Sequence, residues 1–245
     1  MSAPASLISA ARSMWRGLAG DRPPFGDGVT VVVEPHSQLC PDGFVGVVSI
    51  GDGVLATVPT PELAAPVEAV LNSVPIHEAT MVKSFEAVFD VGGLLGPARL
   101  AYLDAAAFRP VAPRHGWRVE PVEPDSARLT AFLAGCPSDE AGESALADAT
   151  STVALVLDGD DTVIAASGWH AWPRRTAHVG VLTAPHARSR GAGRAAASAA
   201  VTEALAAGLL PQWRARIPAS RRVATALGFT EVGAQLSLQV TPRTP

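Results

Sequence analysis

Lysine is nearly missing from this chain: Lys83 stands alone among 19 basic residues, so arginine carries the positive charge, a bias that reads as GC-rich coding and not as mechanism. Tyrosine is as scarce, with Tyr102 the single example. The two cysteines, Cys40 and Cys136, lie far apart and are too few for a disulfide framework or a metal site, which fits a reducing cytoplasm and gives no reason to expect a metal. No apolar run approaches the length that crosses a bilayer, so a membrane partner is not expected. Residues 1–20 also lack the basic start and unbroken apolar stretch of a secretory signal. Leu7, Ala11, Met14, Trp15 and Leu18 recur there at helical spacing instead, which predicts a docking amphipathic helix. A net charge of −4 removes the basic face that a general nucleic-acid binder needs.

What is present is a core and a segregation of charge. With 245 residues and 48% hydrophobic composition, the chain holds one large domain or two of ordinary size. Between Glu120 and Asp161 the acids at 120, 123, 125, 139, 140, 143, 148, 158, 160 and 161 face one base, Arg128. From Ala171 onward only Glu203 and Glu231 oppose the arginines at 174, 175, 188, 190, 194, 214, 216, 221, 222 and 243. Such a division suits an enzyme that joins a polyanionic cofactor to a cationic amine, and equally two solvated faces of an ordinary surface.

Proline and arginine cluster from Arg109 to Gly116, which places a domain boundary there and divides the chain into 1–112 and 113–245. The first part reads as a smaller mixed α/β domain. Strands are predicted over 28–34, 43–50 and 53–58, the last two joined by a tight turn at Gly51-Asp52-Gly53, followed by a helix opened by Thr60-Pro61-Glu62. A further strand-and-helix unit is expected from Glu78 to Asp104. His36, His77 and Tyr102 are its polar candidates, each better explained as structural or solvated.

The second part carries the chemistry. A strand at 117–122, a helix from Pro124-Asp125 to Leu133 and an acidic loop with a second helix precede strands at 152–157, 163–170 and 176–183. The last of these runs into Ala184-Pro185-His186-Ala187-Arg188-Ser189-Arg190-Gly191-Ala192-Gly193-Arg194, and an alanine-rich helix from Arg194 to Ala207 follows. A helix start offers unpaired N–H groups and a positive dipole end, Gly191 and Gly193 let the backbone approach an anion, and Arg188, Arg190 and Arg194 add charge. The order builds a diphosphate cradle. It is neither a P-loop, since no Lys-Ser/Thr follows the glycines, nor a Rossmann turn. A strand at 213–217, a helix at 219–227 and a strand at 236–240 complete the reading.

The spacing Arg188-x-x-Gly191-x-Gly193 resembles the Arg/Gln-x-x-Gly-x-Gly/Ala signature of the GNAT superfamily of acyl-CoA-dependent N-acyltransferases. The tail from Ser220 through Val223 to Leu227-Gly228-Phe229 resembles the helix ending of that family's members related to ribosomal-protein N-terminal acetyltransferases. The two motifs together span about 116–240. This resemblance implies an α+β GNAT fold in the second part, with a mixed, largely antiparallel sheet flanked by helices, and leaves the first part as a degenerate GNAT-like half or a cap.

The same resemblance implies acetyl-CoA as cofactor and an amine of a small molecule or peptide as acceptor, attacked directly in a ternary complex. Ser189 and Ala192 complete the cradle, and Val181, Leu182 and Thr183 would pair with the pantetheine arm. His178, on the strand before the cradle, is the candidate base, with His170 and Glu143 in reserve, and its ordinary imidazole pKa near ~6.5 suits neutral pH. Ser220 is the candidate beside the thioester sulfur, with a plain helix-capping role as the competing reading. Ala224 stands where the family commonly has a tyrosine and Ile217 where it has an asparagine, so a CoA-binding regulatory module without activity is the alternative. Arg221 and Arg222 are within reach of a ribose phosphate. A homodimer is the default association.

Overall fold

A computed structural model describes residues 3–21 and 23–243, so Met1 and Ser2 of the expected docking helix lie outside the described residues. In chain order the first elements are α1 (Ala5–Leu18), β1 (Gly28–Val33), β2 (Val45–Ile50), β3 (Gly53–Val58), α2 (Pro61–Ser73), α3 (Val82–Glu86) and β4 (Phe89–Tyr102). Then come β5 (Arg118–Val122), α4 (Ala127–Ala134), α5 (Ser138–Ser144), β6 (Val153–Leu157), β7 (Val163–Trp172) and β8 (Thr176–Thr183). The chain closes with α6 (Ala192–Ala206), β9 (Leu210–Ala215), α7 (Pro218–Leu227) and β10 (Thr230–Pro242). Among the described residues no helix is long and apolar enough to cross a membrane.

Two compact units emerge. One takes the chain up to Ala101 together with Ala215–Ile217 and everything from Glu231 on, and the other takes Tyr102–Arg214 and Pro218–Thr230. The boundary read from composition, 112/113, lies further along, because the proline-rich segment is tied to the second unit: Arg109 donates its amide to Leu227 O at 3.0 Å and Val111 donates to Ser198 Oγ at 2.8 Å.

The first unit orders its strands β1-β3-β2-β10-β4, with β1 parallel to β3 and β2 antiparallel to both β3 and β10. Gly51 and Asp52 form the two-residue turn between β2 and β3, and Gly51 takes the positive φ (+56°) that such a turn needs. Leu236 and Leu238 of β10 enter a core with Val45, Val47, Val67, Phe85 and Phe89. The last strand, read from sequence as the end of the second domain, therefore builds the first. Nothing local to an alternating strand says which sheet will accept it; long-range burial decides that. The amphipathic stripe of α1 is as expected, with Leu7, Ala11, Met14, Trp15 and Leu18 buried.

The second unit orders its strands β9-β8-β7-β6-β5, antiparallel from β5 to β8 and parallel between β8 and β9. Ser126 rather than Asp125 caps α4, accepting the Leu129 amide at 3.3 Å. Ala192, Ala195 and Ala196 of α6 join Leu155, Ile164, Ala166 and Leu182 in one core. Small side chains let this helix lie close on the sheet, which brings its first turn down onto the end of β8.

Candidate functional site

The site begins where β8 ends. Ala184-Pro185 stops the strand, a single tight turn follows at Pro185–Ala187, and the backbone swings through positive φ at Ser189 (+61°) and Gly191 (+93°) before α6 starts. Among the described residues none of the amides from 189 to 194 donates to a main-chain carbonyl; the first bond of the helix is Ala195 N–H to Gly191 O, 3.1 Å. Six N–H groups thus lie without main-chain partners at or just before the positive end of a 15-residue helix. Gly193 is buried, and any Cβ placed on it would collide with Thr183 Oγ1. Only glycine lets this turn rest against the strand.

Around the turn the arginines behave differently from one another. Arg190 and Arg194 are exposed, whereas Arg188 is ion-paired with Glu140 of α5. Arg114 was not foreseen from the sequence. Its guanidinium stacks over Trp117 at 5.6 Å and lies 3.8 Å from where a Cβ on Gly191 would be. The signal was Arg114 itself in the proline-rich segment, and the Val111–Ser198 bond to α6 ties that segment beside the turn.

Beside the turn, β8 has an open edge. Pairing of β8 with β9 covers Thr176↔Leu210, Ala177↔Pro211 and His178↔Gln212 and stops there. Ala184 donates its amide to Ile164 O on the β7 side, and Ser167 Oγ of β7 reaches Gly180 O at 2.7 Å. By alternation Leu182 and Gly180 turn their main chains to β7, while Val181 and Thr183 turn theirs to the side where β9 has parted. Leu182, expected to face the ligand, instead places its side chain in the core and its main chain against β7.

His178 sits at the vertex of this parting and is half-buried. Its Nδ1 is hydrogen-bonded to Gln212 Oε1, and its ring stacks on Trp172 with centroids 4.2 Å apart and planes at 19°. Burial, then the Arg214 charge, push its pKa down to about 3, with His170 adding to the shift and the Gln212 bond opposing it. The ordinary imidazole range assumed from sequence does not hold: the ring is neutral throughout physiological pH. Gln212 is itself fully buried, a polar residue on β9 between Pro211 and Trp213. Its polarity in an apolar strand was a signal in the sequence; its partner was not, because register decides it.

His170 lies across from His178 but engages Ala145 O through Nε2 at 2.8 Å, holding the α5 loop, whose Ser144 carbonyl lies where a Cβ on Gly180 would be. Ser220, at the start of α7, accepts the Trp213 indole N–H at 2.9 Å, which leaves its own hydroxyl hydrogen to donate. Ala224 is buried. Among the described residues no cluster of His, Cys, Asp or Glu could hold a metal ion.

Residues 153–235 match the sequence model of the GNAT acetyltransferase family. The match is to the family as a whole and does not single out the ribosomal-protein branch. Among solved structures, a GCN5-related N-acetyltransferase-like protein from Streptococcus suis 89/1591 shares the fold with a TM-score of 0.50 at 14% identity, covering 95% of this chain and 99% of that one. A GCN5-related N-acetyltransferase from Kribbella flavida aligns at 19% identity over 67% of this chain and 64% of its own, with a TM-score of 0.47. A Salmonella typhimurium protein solved with its cofactor acetyl-CoA aligns at 15% identity over 52% of this chain and 94% of its own, with a TM-score of 0.38. No curated protein matches the sequence significantly.

Proposed function

We propose that this chain, in which residues 153–235 form a GNAT acetyltransferase domain, moves an acetyl group from acetyl-CoA to a primary amine of a small molecule or peptide within a ternary complex. The observation that carries the reading is the run of amides at 189–194, left without carbonyl partners beside the open edge of β8. A linked pair of phosphates would satisfy those donors, and among the described residues no main-chain carbonyl does.

Acetyl-CoA, when bound, supplies the acetyl group as a thioester: the C–N bond forms as the C–S bond breaks, the acceptor nitrogen gives up a proton and the thiolate gains one. The amides of 189–194, with Arg114, Arg190 and Arg194 at the rim, hold the diphosphate. Main-chain groups of Val181 and Thr183 pair with the pantetheine arm as an added strand would. An N–H of this edge would donate to the thioester carbonyl oxygen and stabilise the charge that develops there during transfer, a donor commonly worth about 3–4 kcal/mol. His178, neutral, orients the amine by accepting a hydrogen bond, and water takes the proton that so weak a base does not keep. Ser220 donates its hydroxyl hydrogen toward the departing sulfur.

The test is release of free thiol from acetyl-CoA in the presence of a mixed panel of primary amines. Thiol release that depends on one class of amine supports transfer. Clear CoA binding with no release across the panel would instead make the chain a CoA-binding regulatory module.

A further inference from the structure

Gln212 is a buried polar side chain at the parting of β8 and β9 that packing alone does not call for. It is fully buried on β9, its Oε1 is bonded to His178 Nδ1, and among the described residues its Nε2 has no partner. An unpaired buried donor is destabilising, and an apolar residue of similar volume would avoid that cost at a position flanked by the buried Pro211 and Trp213. A buried polar group kept against this gradient calls for a role beyond packing.

The geometry supplies one. In neutral imidazole one nitrogen carries the hydrogen and the other the lone pair, and the hydrogen bond at one nitrogen selects the tautomer. A carbonyl oxygen can only accept, so Gln212 Oε1 draws the hydrogen to Nδ1 and leaves the lone pair on Nε2. Trp172 fixes the ring plane by stacking on it. These constraints meet at the last paired residues before the strands diverge.

We infer that Gln212 is a positioning residue for acetyl transfer, holding His178 in the Nδ1–H tautomer so that Nε2 presents its lone pair to the acceptor amine. The inference rests on the transfer reading above. The other charged or titratable groups acting on the ring are Arg214 on β9, which has no acceptor atom, and His170 on β7, whose Nε2 is bonded to Ala145 O. Burial keeps the ring neutral, so the tautomer, not the charge, is what Gln212 controls.

Two readouts on the full chain test it. Ring 15N NMR of the ligand-free protein should give the Nδ1–H tautomer for His178, and Gln212→Leu should move it to Nε2–H; an Nε2–H tautomer in the unaltered protein overturns the inference. In the thiol-release assay Gln212→Leu should lower kcat about tenfold or more with KM for acetyl-CoA unchanged within about twofold. Its melting temperature should hold or rise. Gln212→Glu, whose carboxylate accepts the same hydrogen and also favours the imidazolium, should restore part of kcat and bring the acid limb of the pH profile up toward neutrality. A kcat for Gln212→Leu equal to that of the unaltered chain, or a loss matched by a lower melting temperature and not rescued by Glu, overturns the positioning role. Absence of thiol release by the unaltered chain overturns the transfer reading itself and is distinguishable from either.

Discussion

His178 and Gln212 are the last residues at which β8 and β9 run side by side, and their side chains are hydrogen-bonded at that vertex. Beyond them Val181 and Thr183 turn unpaired main-chain groups toward the gap, and at its far end lies the amide turn before α6. Polar pair, strand edge and amide turn thus follow one another along β8 and the turn after it.

Gly191 holds φ at +93°, where a β-branched residue is strongly disfavoured. Gly191→Val should turn the neighbouring amides away and weaken CoA binding by about 100-fold or more, equivalent to about 2.7 kcal/mol. Gly191→Asn, which tolerates left-handed backbone, should keep binding within a few-fold. Calorimetric titration with CoA checks both, and equal affinities for Val and Asn would mean that the turn does not hold phosphate.

Arg114 meets the cradle from outside the motif, with its guanidinium on Trp117. Arg114→Ala should raise KM for acetyl-CoA about 3- to 10-fold and leave kcat unchanged, and the difference should shrink at high salt as screening removes the charge it contributes. Steady-state kinetics at two ionic strengths measure this.

For His178 the folded-state pKa, about 3, lies below the usual value near ~6.5, so the folded chain resists a proton that the unfolded chain binds. Stability from this group is present above pH ~6.5 and is lost as pH falls toward 3. The upper slope is about 1.4 kcal/mol per pH unit, lessened by the ring's partial contact with solvent. Urea denaturation at pH 7 and pH 5.5 should show a larger loss for the unaltered chain than for His178→Asn.

Ser220 accepts the indole N–H of Trp213, whose ring is buried and packs edge-on to Phe229 at 5.4 Å. Ser220→Ala should cost about 1–3 kcal/mol of stability by stranding that donor, and should lower kcat with little change in KM for acetyl-CoA. Ser220→Thr keeps the hydroxyl and should recover both. A kcat for Ser220→Ala equal to that of the unaltered chain at matched folding would confine Ser220 to structure.

Local pattern alone determined β8, the turn after it and α6: the alternation of 176–183, the glycines at 191 and 193 and the alanines of α6 each act within a few residues of themselves, where backbone sterics and helix-end chemistry are decisive. The stripe of α1 and the turn at Gly51-Asp52 were legible for the same reason. Only the tertiary structure decided that β10 completes the first unit, that Arg114 reaches the cradle, that Glu140 occupies Arg188 and that Gln212 is the partner of His178. Those outcomes depend on strand register and on which distant surfaces exclude water together. The pKa of His178 belongs with them, since burial and the Arg214 charge arise from packing that no short window of sequence contains.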